Sequence, residues 1–165
     1  MLRQSAVLQG KIMIKHSKPG DPRKAFLINE VSKKINAIYD ELIENFKSGD
    51  FSEYGSQFFF SNGVYFKVPA GKVSIVFQHV KTSPLGTEKF MGRIVFVFED
   101  PLIGEDIPIY AIQFDETGSV YSSDMLDEYL ESGFNGKRLN DAAMNRIVLH
   151  LNVAIIEHNT RQTIK

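Results

Sequence analysis

The chain reads as an α+β domain: an antiparallel meander of about six strands, plus an N-terminal strand, packed against a long N-terminal helix and a long C-terminal helix. Three observations predict this. Apolar residues recur at helical spacing near each end of the chain, they alternate or run continuously in between, and the connections of the middle third are too short for parallel crossovers. With 165 residues, 43% of them hydrophobic, the chain fits a single domain spanning residues 1 to 165 with a sizeable core.

Residues 5 to 15 read as the N-terminal strand, closed by the turn cluster HSKPGDP. A helix follows, with Asp21 as N-cap and Pro22 at its first position. Ile28, Val31, Ile35, Ile38 and Leu42 form its apolar stripe, and Gly49 stops it. From residue 56 the period shortens. QFFFS and VYFKV flank Asn62-Gly63, a dipeptide suited to the positive φ angles of a type I′ turn. KVSIVFQHV, FMGRIVFVFED, IPIYAIQF and SVYS continue the meander. Pro108 marks the third of these as an edge strand or as starting after the proline. SSDMLDEYLESG reads as a short helix capped by Ser123 or Asp124. The last helix starts near Asn140. Ile147, Val148, Leu151, Ala154 and Ile155 make its apolar face, and Val153 and Ile156 widen it enough to predict burial against the sheet.

Strand, long helix, meander and C-terminal helix form an order similar to the helix-grip arrangement of START and Bet v 1-like ligand-binding proteins. The similarity is one of element order, without motif residues. Those proteins break the first helical segment into two short helices, whereas residues 23 to 47 run unbroken here.

Composition excludes several chemistries. There is no cysteine, so disulfides, zinc ribbons, iron–sulfur clusters and thiol nucleophiles are all absent. The lack of cysteine and of Asn-X-Ser/Thr sequons fits a cytoplasmic protein. No signal-peptide core and no run of about 20 apolar residues suggests a membrane association. No P-loop, nucleophile elbow, dinucleotide fingerprint, HExxH or EF-hand spacing occurs, so the expectation is a protein without cofactor, metal or catalytic residue. His150 and His158 stand eight residues apart on the last helix, beyond the i, i+4 spacing of a metal pair. They read as structural: His150 part-buried on a carbonyl, His158 at the helix C-terminus. A hydrolase using either would need carboxylates brought in from elsewhere in the fold. GFNGKR, residues 133 to 138, resembles the GXXG loop of KH domains in bare pattern, with Lys137 and Arg138 beside it. No strand follows to complete that frame, so the letters read as a glycine stop and a solvated connection.

Charge is unevenly placed. Residues 1 to 34 hold eight basic and two acidic residues, while residues 98 to 133 hold ten acidic and no basic ones, in a chain whose net charge is −1. Caps and strand edges account for part of the acidic run. One sign throughout points to a partner of the opposite sign. The expectation is therefore a small intracellular, non-catalytic interaction module of inhibitor, immunity or adaptor type. It would bind a protein with a basic surface, such as a nucleic-acid-acting enzyme, through Glu105, Asp106, Asp115, Glu116, Asp124, Asp127, Glu128 and Glu131. Overall acidity argues against direct nucleic-acid binding. The alternative is a small-molecule binder with a pocket between the sheet and the C-terminal helix, lined by Phe77, Phe96, Tyr110, Phe114 and Leu151.

Overall fold

A computed structural model describes residues 7–8, 11–12, 22–82, 89–122, 129–131 and 139–162. Two helices, α1 (Pro22–Ser48) and α2 (Asp141–Arg161), frame a seven-stranded sheet whose strands neighbour one another in chain order. These are β3 (Gln57–Phe59), β4 (Tyr65–Val68), β5 (Gly71–Thr82), β6 (Lys89–Asp100), β7 (Glu105–Phe114), β8 (Val120–Ser122) and β9 (Tyr129–Glu131). Every pairing is antiparallel, as short connections require. β1 (Val7–Leu8) and β2 (Lys11–Ile12) are two-residue strands that pair with each other and, among the described residues, with no other strand. The single strand expected over residues 5 to 15 is thus not formed among the described residues, where Val7 stands opposite Ile12 and Leu8 opposite Lys11.

Register explains the core. Val73, Ile75 and Phe77 of β5 stand opposite Phe98, Phe96 and Ile94 of β6, and Phe96 and Ile94 stand opposite Tyr110 and Ile112 of β7, so these side chains share one face. Both helices cover that face. From α1, Val31, Ile35, Ile38, Leu42 and Phe46 enter one continuous core with Met144, Ile147, Val148, Leu151 and Ile155 from α2. Tyr39 stacks on Phe77 with centroids 4.2 Å apart, and Phe46 meets Phe66 edge-on at 5.2 Å. Gly92 is fixed by this packing: an added Cβ would come within 2.4 Å of the Phe114 ring.

One expectation is narrowed and two change. Pro108 lies within β7, not before it, but at a stretch where β7 is the sheet's edge among the described residues, because β8 pairs with Ile112–Phe114; a register shift between Phe96 and Val97 accompanies the missing N–H. Asn62-Gly63 sits in a longer connection than a two-residue turn, because the hairpin closes at Phe59 opposite Tyr65; Gly63 still takes the positive φ, +105°. The short helix expected over 122 to 133 is replaced at Tyr129–Glu131 by β9, which pairs with β8. The aromatic and aliphatic residues there gain a ladder from the open edge of the sheet. Asn140 caps α2, its Oδ1 accepting the Ala143 N–H at 2.8 Å.

Candidate functional site at the β6–β7 hairpin

β6 ends at Asp100, and the next four residues form a tip before β7 returns. Asp100 points to the helix-covered face and is 3% exposed. Its Oδ1 accepts the Leu102 N–H at 2.9 Å and its main-chain oxygen accepts the Gly104 N–H at 2.9 Å. Gly104 takes φ +69°, which favours glycine. On the other carboxylate oxygen, His158 Nε2 donates at 2.8 Å and Gln162 Nε2 at 2.9 Å, both from the end of α2. The His158 bond, supported by those from Leu102 and Gln162, holds the Asp100 carboxyl below its ordinary pKa against the opposing effect of desolvation. One residue thus sets the tip's backbone, through its side chain and its main-chain oxygen, and ties the tip to α2.

What the tip carries is unusual for a solvated turn. Leu102 is 61% exposed and Ile103 46% exposed. Glu105 and Asp106, opposite Asp100 and Glu99 in the ladder, are exposed and make no ion pair among the described residues. Glu99 is engaged by Ser74 and by Lys72 at 3.5 Å. Beside the tip, a cleft of about 520 Å³ runs between the β4–β5 turn and the end of α2, its walls including Gly71, Phe98, Asp100, Leu102, Asn159 and Gln162. Asn152 Oδ1 holds the β4–β5 turn by accepting the Ala70 N–H at 2.9 Å. Gly71 admits no side chain, because a Cβ would sit 2.6 Å from the Phe98 ring.

The other expected acids divide. Asp115 is 2% exposed, and its Oδ1 accepts the Thr117 N–H, the Thr117 hydroxyl and the Ser119 N–H, while Lys89 reaches Oδ2 at 3.0 Å. Burial raises its pKa, but the bonds from Thr117, Lys89 and Ser119 outweigh that and leave it lowered. It is a turn anchor rather than a solvent-facing anion, a correction that follows from its four donors. Glu116, with only 14% of its side chain exposed, pairs with Lys34 of α1 at 3.5 Å. Asp124, Asp127 and Glu128 lie outside the described residues, as do Lys137 and Arg138; Glu131 ends β9.

Of the histidines, His158 stands in the last turn of α2 as expected, while His150 departs from its part-buried reading. His150 is exposed and stacks on Tyr110 with centroids 5.2 Å apart. His158 spends its Nε2 on Asp100. No three metal-ligating side chains converge among the described residues. Phe96, Phe114 and Leu151, expected to line a pocket, are fully buried core residues, and Phe77 and Tyr110 pack against that core. The cleft lies instead at the end of the sheet. No helix is long and apolar enough to cross a membrane among the described residues.

Sequence reasoning missed Asp100 because His158 and Gln162 follow it by 58 and 62 positions. A local signal existed: an aspartate before Pro-Leu-Ile-Gly is the pattern of a side chain accepting from the residue two ahead, with a glycine to finish the turn. No protein-family model matches the chain, and no curated protein or solved structure matches it.

Proposed function

We propose that the chain is a non-catalytic protein-interaction module of inhibitor, immunity or adaptor type, and that the β6–β7 tip is the part it presents. The observation that carries this reading is the pairing of two exposed aliphatics, Leu102 and Ile103, with two unpaired acids, Glu105 and Asp106, on a backbone held by Asp100. Interfaces concentrate their energy in a few apolar anchors and use rim charges for steering and selection. A tip already held in one conformation loses little entropy on binding. The complementary surface is an apolar pocket with a basic rim on another protein.

A specific test is capture from source-cell lysate on immobilised wild-type protein, on Leu102→Ser/Ile103→Ser and on Glu105→Lys/Asp106→Lys. Each capture is run at about 50 and about 500 mM salt, a range over which screening weakens exposed charge pairs. The expected outcome is one protein retained by the wild type at low salt, reduced at high salt, and at least tenfold depleted on both variants. Equal retention on all three baits would remove the proposal.

The cleft beside the tip favours a second reading, a small-molecule site. Its volume falls within the usual 300–1,000 Å³ range for ligands. Saturable binding of one compound from a metabolite-sized library, abolished by Asn159→Trp, which fills the cleft from an exposed position, would support it.

A further inference from the structure

α2 is apolar on two opposite sides. With about 100° between successive residues, Met144, Ile147, Val148, Leu151 and Ile155 cluster on the buried side. Val153 points nearly opposite to it, Leu149 and Ile156 face outward beside Val153, and all three are about half exposed. A helix that is apolar all round is ordinarily covered all round. The outward stripe has one charged flank: Arg146 and Glu157 stand on the same side of it, both exposed, and neither makes an ion pair among the described residues. They lie three turns apart, about 16 Å along the axis.

We infer that this face pairs with the same face of a second copy, the two α2 helices running antiparallel about a twofold axis level with residue 152. In an antiparallel pair like flanks face each other, so Arg146 of each copy meets Glu157 of the other while Leu149 packs against Ile156. A parallel pair would set that flank against Asn145 and Asn152 and leave both charges unmatched. Self-complementarity under a twofold is the requirement of an isologous dimer, and opposite charges at flanking positions set helix orientation. Three aliphatics per chain cover less than the roughly 800 Å² that each partner of a standard interface buries, so the dimer is reversible. The pairing leaves both β6–β7 tips free, near the outer ends of the paired helices.

Sedimentation equilibrium of the full chain from about 1 µM to about 1 mM tests this. The wild type is expected to pass from monomer to dimer across that range. Val153→Glu is expected to stay monomeric with an unchanged far-ultraviolet circular dichroism spectrum. Arg146→Glu is expected to raise the dissociation constant at least tenfold, and Arg146→Glu/Glu157→Arg to return it to within about threefold of wild type. A wild type that is monomeric throughout, or a dimer that survives Val153→Glu, overturns the assignment. Failure of the charge swap to restore association overturns the antiparallel pairing.

Discussion

The β6–β7 tip and the β7–β8 turn begin alike, each with a buried aspartate that accepts hydrogen bonds from the turn ahead of it. They then diverge. After Asp115, Glu116 reaches Lys34 on α1 and Lys89 closes on Asp115 itself, so that turn spends its charge inside the molecule. After Asp100 come two exposed aliphatics, and the acids that follow find no partner among the described residues. The lesson concerns how an acidic run should be read. Its sign says little about role; where each carboxylate finds its donors separates anchors from surfaces.

Breaking the anchor of the β7–β8 turn should have the largest effect. Asp115→Ala leaves Lys89 without its counter-ion in a partly buried site and frees two N–H groups, and should cost about 3 kcal/mol in urea unfolding. Partner capture at low salt should be unchanged for whatever fraction stays folded. Next is the tip's own conformation: Gly104→Ala must hold φ near +69°, and should destabilise by about 1 kcal/mol with weaker partner capture.

The two anchors should also appear together in acid. Both carboxyls have lowered pKa values in the folded state. Their contribution is therefore complete above the unfolded aspartate value of about 3.9, and it is lost as pH falls through the lower folded values. Stability measured from pH 5 down to about pH 2 should drop steeply in the wild type and less steeply in Asp100→Asn/Asp115→Asn; parallel curves would sink this account of the anchors.

The smallest expected stability changes separate the two turns most sharply. Leu102→Ser/Ile103→Ser should alter unfolding free energy by no more than about 0.5 kcal/mol while abolishing capture, because the side chains it removes already face water. Glu116→Gln loses a pair whose lysine is largely exposed, again within about 0.5 kcal/mol, and should leave capture intact.

Much of the fold was legible because its signals are local. Pro22 and Gly49 bracket α1 around a stripe of Val31, Ile35, Ile38 and Leu42, and all four are buried. Strand order followed from connection length. β9 was not legible: Tyr129–Glu131 sits in a stretch with helical spacing, and its pairing depends on the free edge of β8. Val153 and Ile156 read as core because helix periodicity records which residues are apolar, not how many sides of the helix the fold covers. The candidate site was half legible. Glu105 and Asp106 are exposed, whereas Asp100 and Asp115 look the same in sequence and differ from them only in three-dimensional partners.

Amide hydrogen exchange at Leu102 and Gly104 reads whether Asp100 holds the exposed tip in one conformation. In the wild type both amides should exchange far more slowly than an unstructured peptide, since each donates to Asp100. In Asp100→Ala the Leu102 amide should exchange at nearly the unstructured rate while the centre of β6 remains protected. Fast exchange at both positions in the wild type would contradict the account, because the tip would then be neither anchored nor preorganised.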